Sequence, residues 1–141
     1  MPTRKASATW EGGLKSGTGS FKGETGAVEG PYSAGSRFAQ EKGSNPEELL
    51  AAAHAACFSM ALSGQLEGAG HTPTRIRTDA ACTVEKSDAG YTITTMKLTT
   101  RASVAGIDAA RFTEIAEGAK QGCPVSRALA GLQIELDAAL E

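Results

Sequence analysis

The chain has 141 residues, of which 40% are apolar and 21% charged, and a formal net charge of −2. That is one domain's worth of sequence with the composition of an ordinary globular protein. The charge is small and the basic residues are scattered, with no cluster longer than Arg4-Lys5, which excludes steering toward nucleic acid or an anionic membrane. Aromatic residues make up only 5%, while Ala and Gly are abundant, so burial of further surface in a homodimer is expected. Residues 1–10 are too polar for a signal-peptide core. The longest apolar stretch, residues 49–62, is interrupted by His54, Cys57 and Ser59 and reads as too short and too polar to span a bilayer. We therefore expect a single domain over residues 1–141, located in the cytoplasm, with neither a nucleic-acid nor a membrane partner.

The first predicted element is a half-buried strand at residues 5–10, with Ala6, Ala8 and Trp10 on one side. Residues 11–36 are rich in Gly and Ser and predict hairpins, with strand pieces around residues 19–21 and 27–28. A long helix follows. Asn45 is its N-cap, Pro46 its first residue, Glu47 and Glu48 favour its positive end, and Gly68 and Gly70 stop it. Apolar residues lie nearly all round this helix, which predicts burial on most faces. Residues 74–86 alternate, with Ile76, Ala80, Cys82 and Val84 on one face, and residues 91–104 form the second strand of a long hairpin through Asp88-Ala89-Gly90. Asp108 caps another helix ended by Gly122, Pro124 opens a short one stopped by Gly131, and Leu132, Ile134 and Leu136 mark a final strand. The order is α+β, not an alternating βαβ chain.

The chemistry-bearing residues are three cysteines, Cys57, Cys82 and Cys123. An odd number argues against a structural disulfide framework, and the lack of a CxxC argues against a zinc ribbon or a thioredoxin-type site. Cys82, on the apolar face of a strand, reads as an inert buried thiol. Cys123 precedes Pro124 at a helix start, where the dipole lowers a thiol's pKa; it is either a reactive thiol or a small residue at a tight turn. Cys57, mid-helix, reads locally as packed, with His54 one turn earlier able either to polarise it or simply to pack. Local reasoning alone would choose Cys123 over Cys57 as the nucleophile.

Three segments, however, resemble one family: Ser36-Arg37-Phe38; Asn45-Pro46-Glu47-Glu48-Leu49 running into Ala53-His54-Ala55-Ala56-Cys57-Phe58-Ser59-Met60; and Gly122-Cys123-Pro124-Val125-Ser126. Their order and spacing are similar to the OsmC/Ohr family, named for osmotically inducible protein C and organic hydroperoxide resistance protein, and the His-Ala-Ala-Cys-Phe stretch looks more like the OsmC branch. The resemblance covers essentially the whole chain. It implies an OsmC-like fold in an intertwined homodimer with sites at the subunit interface. It implies thiol-dependent reduction of organic hydroperoxides, and of hydrogen peroxide less well, without a cofactor or metal. It also implies Cys57 as the peroxidatic thiol, Cys123 as the resolving one, and Arg37 and Glu47 as the pair that activates the thiolate and positions substrate. An external dithiol, of lipoyl type or a small molecule, would reduce the disulfide.

Chemistry sharpens these expectations. Peroxide reduction needs a thiolate, and burial in an apolar helix opposes one. Arg37 is the cation for the task and Glu47 the carboxylate to hold it. Glu47 and Cys57 are ten residues apart, about 15 Å along one continuous helix, so each site is expected to draw on both chains. Phe38, Phe58 and Met60 could face an alkyl chain or simply pack in the core. The competing functions are a thiol redox sensor or binding protein with little turnover, a disulfide oxidoreductase disfavoured by the missing CxxC, a nucleotide binder through Gly17-Thr18-Gly19 that lacks the rest of any phosphate-binding motif, and a metal hydrolase, for which His54 and His71 supply too few ligands.

Overall fold

Short strands joined by tight turns occupy the beginning of the chain. β1 (Ala6–Glu11), β2 (Thr18–Gly23) and β3 (Glu29–Tyr32) form an antiparallel sheet in that order. Gly26 adopts a positive φ of 76° in the β2–β3 turn, a conformation open to glycine and costly for side chains. The sheet is faced with rings: Trp10 and Phe21 lie 5.4 Å and 6.0 Å from Tyr32. Two expectations shift. Residues 27–28 lie in the turn and the strand begins at Glu29, and β1, expected half-buried, leaves Ala6 and Ala8 exposed. A one-and-a-half-turn helix, α1 (Ala34–Phe38), had no sequence signal beyond Ser33 and Ser36, whose side chains and backbone amides close a capping box at 3.0 Å and 2.8 Å.

The computed structural model describes residues 1–141, and its contacts divide the chain into two units, Met1–Leu49 and Leu50–Glu141. The long helix α2 (Pro46–Gly68) starts as its sequence dictates: Asn45 Oδ1 accepts the Glu48 amide at 2.8 Å. It ends before Gly70, whose φ is 89°. His54, Phe58, Leu62 and Leu66, four residues apart, are fully buried along one stripe. Ala52, Ala53, Ala56, Met60 and Gly64 are exposed, Met60 at 77%. Burial on most faces is thus corrected: within one chain α2 covers one stripe and leaves an apolar one open. At 23 residues, with a mean hydropathy of 1.4 over an 18-residue window, α2 is also long and apolar enough to cross a membrane by length and composition, whereas the interrupted apolar run in the sequence read as too short and too polar. Its Phe58 and Leu62 stripe is packed into the protein core.

The second unit's sheet is the expected hairpin plus one strand. β4 (Arg75–Ser87) pairs antiparallel with β5 (Gly90–Ser103), with a register shift at Thr83/Val84. β6 (Gln133–Leu140) pairs parallel to β5, after α3 (Ala109–Gly122) and α4 (Pro124–Ala128) have carried the chain back. Asp108 caps α3 by accepting the Arg111 amide at 2.8 Å. Met96, Leu98, Phe112 and Ala116 join the buried stripe of α2 in one core. Each of the larger side chains there contributes about 1.5–3 kcal/mol by leaving water. The order of elements is α+β, as the sequence implied.

Candidate active site

Cys123 occupies the joint between α3 and α4. Pro124 disfavours helical backbone in the residue before it, and Cys123 accordingly takes φ −61° and ψ 125°, closing α3 through its amide to Ala119 O at 2.9 Å and opening α4. Its side chain is fully buried. Cys57, on α2 one residue before fully buried Phe58, is half-buried at the edge of the same core. Both thiols are free, and they meet: the two side chains hydrogen-bond to each other.

The two thiols differ in acidity. Burial, then the contact with Cys123, pushes the Cys57 thiol above the ordinary range, against a smaller opposing effect from the Val125 amide. For Cys123 burial also acts upward, but Cys57, the Ser126 amide and hydroxyl, and the Val125 amide together hold it below the ordinary range. The amides turn toward the sulfur without closing a formal cap bond, as suits the long, weak hydrogen bonds of sulfur. Within one chain, then, Cys123 is the more readily ionised of the two sulfurs. This matches the local reading of the sequence and is the reverse of what the family resemblance needs for attack.

Ser126 ties this pair to a third buried group. Its hydroxyl lies 2.7 Å from His54 Nε2, and the His54 side chain is fully buried. Burial holds His54 below its usual pKa, so the ring is neutral near pH 7. Ser126 was not singled out in the sequence as a site residue; the available signal was a hydroxyl three residues after a helix-opening cysteine.

Arg37 and Glu47 form their own pair in the first unit. Arg37 Nε donates to Glu47 Oε1 and Oε2 at 3.1 and 3.2 Å, and a terminal guanidinium nitrogen donates to Oε1 at 2.7 Å. Glu47 is 6% exposed. Its place at the second position of α2 and Arg37's place on α1 are fixed by a small scaffold: Ser36 Oγ donates to Ser44 O at 2.7 Å and Asn45 Nδ2 donates to Ser36 O at 3.1 Å. Phe38 lies under the guanidinium, 5.2 Å from its ring centre. With Trp10, Leu14 and Tyr32, these two residues line a cavity of about 260 Å³. Phe38 and Leu14 are exposed there, whereas Phe58 is plain core.

A family model described as OsmC-like protein matches residues 39–137. Peroxiredoxin OsmC of Escherichia coli K12 is 50% identical over 135 residues, covering 95% of this chain and 94% of that one. The chain belongs to the OsmC-like family. At that identity over nearly the whole of both chains, this OsmC-like protein is a peroxidase. Among solved structures, an organic hydroperoxide resistance protein from Elizabethkingia anophelis superposes with a TM-score of 0.80 at 26% identity, covering 100% of this chain and 98% of that one. OhrB of Bacillus subtilis superposes with a TM-score of 0.72 at 23% identity, covering 97% and 98%, a likeness of fold. The four residues expected from the OsmC resemblance thus fall into two contacting pairs, Arg37 with Glu47 and Cys57 with Cys123.

Proposed function

We propose that this OsmC-like peroxidase reduces organic hydroperoxides in preference to hydrogen peroxide, with Cys57 as the attacking sulfur and Cys123 as the resolving one. The observation that carries the reading is the direct contact of two free thiols from α2 and the α3–α4 joint. A sulfenic acid on one sulfur has the other within reach, so a disulfide forms before further oxidation. The apolar cavity beside Arg37 supports an alkyl substituent on the peroxide.

The reaction starts from the singly ionised thiol pair, which holds one proton and one charge. Attack requires the charge on Cys57. Its sulfur takes the distal oxygen, the O–O bond breaks, and the departing alkoxide takes the pair's remaining proton from Cys123. The sulfur of Cys57 is then a sulfenic acid and Cys123 is left as thiolate. Attack of Cys123 on Cys57 expels the hydroxyl, which leaves as water with a proton from solvent, and forms the disulfide. An external dithiol returns both thiols by exchange.

Since burial and Cys123 oppose a Cys57 thiolate, a fixed cation must favour it, and Arg37 held by Glu47 is the group we assign. About 15 Å of axial rise on the unbroken α2 separates Glu47 from Cys57, so the reading takes the Arg37–Glu47 pair from a second copy in an intertwined homodimer. The open apolar stripe of α2 and the exposed alanines of β1 support such a partner. We read the chain as one functional domain acting in the cytoplasm. Kinetics with cumene and tert-butyl hydroperoxide against hydrogen peroxide, using dihydrolipoamide or thioredoxin as reductant, test the assignment. Cys57→Ser should abolish turnover; normal steady-state turnover in that variant refutes it. A redox sensor would instead show a slow, stoichiometric response in the same assay.

A further inference from the structure

We infer that Ser126 and His54 form a buried hydrogen-bond relay that holds the resolving sulfur, Cys123, as the attacking thiolate for disulfide closure. The inference rests on the proposed roles of Cys57 and Cys123 and adds two positioning residues to them.

The direction of the relay follows from one orphaned atom. His54 Nδ1 is buried and has no hydrogen-bond partner. A ring proton on Nδ1 would be a buried donor with nothing to accept it, a costly arrangement. The proton of the neutral ring therefore sits on Nε2, 2.7 Å from Ser126 Oγ. Ser126 Oγ accepts it, which leaves the serine's own O–H to donate to Cys123, the other group its side chain bonds. Each donor in the chain points toward the sulfur. A hydrogen bond to an ionised sulfur is about twice as strong as one to a neutral group, so the arrangement favours the thiolate. If His54 only filled space, nothing would orient the serine proton.

The surroundings leave this relay in charge. The titratable group acting on Cys123 is Cys57, from α2; from α4 it meets the Val125 and Ser126 groups, which do not titrate. On α3, Lys120 is engaged by Glu117 at 3.5 Å and the Ile134 carbonyl at 3.4 Å, and on α4 Arg127 is exposed. Only burial shifts His54. Closure uses the thiolate directly: Cys123 sulfur is oxidised as the S–S bond forms, Cys57 sulfur is reduced as its S–O bond breaks, and the hydroxide leaves as water with a proton from solvent. The same relay opposes moving the charge to Cys57, so it acts in opposite senses on the two steps.

That opposition is the test. In rapid-mixing experiments the peroxide-dependent phase reports attack by Cys57, and the following phase, independent of peroxide concentration, reports closure. Ser126→Ala should slow closure about tenfold or more, shift its pH profile to higher pH, and increase sulfinic acid on Cys57 by mass spectrometry. The peroxide-dependent phase should hold its rate or quicken. Ser126→Thr should restore closure, and His54→Leu should reproduce Ser126→Ala. Closure at the wild-type rate and pH profile in folded Ser126→Ala overturns the relay, as does equal slowing of both phases. Loss of the peroxide-dependent phase only on mutating a residue other than Cys57 would overturn the underlying roles instead.

Discussion

Replacing Glu47 by Gln keeps the shape of the side chain and removes the charge that Arg37 faces. Three N···O contacts of 2.7 to 3.2 Å connect the pair, and Gln can still accept one of them. Breaking a fully buried ion pair from one side costs about 3–5 kcal/mol, while an exposed pair is worth under about 1 kcal/mol. The Glu47 side chain is 7% exposed but that of Arg37 is 34% exposed, so water can solvate the orphaned guanidinium in part. The expected loss lies between these limits, at about 2 kcal/mol, with a few tenths from the missing negative charge at the start of α2. For a chain of this size that is a Tm lower by roughly 5–10 °C, measurable by calorimetry at pH 7. If Arg37 is the cation that favours the Cys57 thiolate, its loosening should also slow the peroxide-dependent phase by about a hundredfold. A variant with Tm within about 1 °C of wild type and an unchanged peroxide rate would refute both the energetic and the functional argument.

Cys123→Ser should complete one peroxide reduction and then stall, with sulfenic and then sulfinic acid on Cys57 by mass spectrometry. Mixed dimers separate sites shared between chains from sites within one: Cys57→Ser and Arg37→Ala, each inactive alone, should regain activity when dissociated and reassociated together, because one site of the mixed dimer then holds both wild-type groups. Ala56→Arg, in the open apolar stripe of α2, should give a monomer by light scattering and lose peroxidase activity with it. Because burial lowers the pKa of His54, the unfolded chain takes up a proton below about pH 6.5 before the folded one does. Stability is therefore full above that pH. It should fall by up to about 1.4 kcal/mol per pH unit below it, until the folded value is passed, and urea midpoints in His54→Leu should be flatter across that window.

Much of this was legible in the residues because the governing forces are local. Asn45 and Asp108 start helices by accepting the amide three residues on, Gly70 ends one through its positive φ, and the alternation of β4 follows from the two-residue period of a strand. The Cys123-Pro124 step announced a helix break with a thiol at it, and local electrostatics chose the sulfur that the structure also favours for the charge. The α1 helix was not legible, since five residues with a Ser–Ser capping box carry no periodicity. Nor was the bulge at Thr83/Val84, which depends on the partner strand. The open stripe of α2 was misjudged because an all-round apolar helix does not state which of its faces its own chain will cover.

By itself the sequence determined the long helix, the β4–β5 hairpin, the two later helices, the final strand and the family, all of which depend on neighbours within a few residues or on motifs read in order. Only the tertiary structure decided which side chains share a site. The Cys57–Cys123 contact and the His54–Ser126 bond, the latter across 72 residues, are made by the chain reversal through β4, β5 and α3. Such contacts depend on how whole elements pack, and burial together with the hydrogen bonds made there shifts the acidity of these groups, a quantity no local pattern encodes.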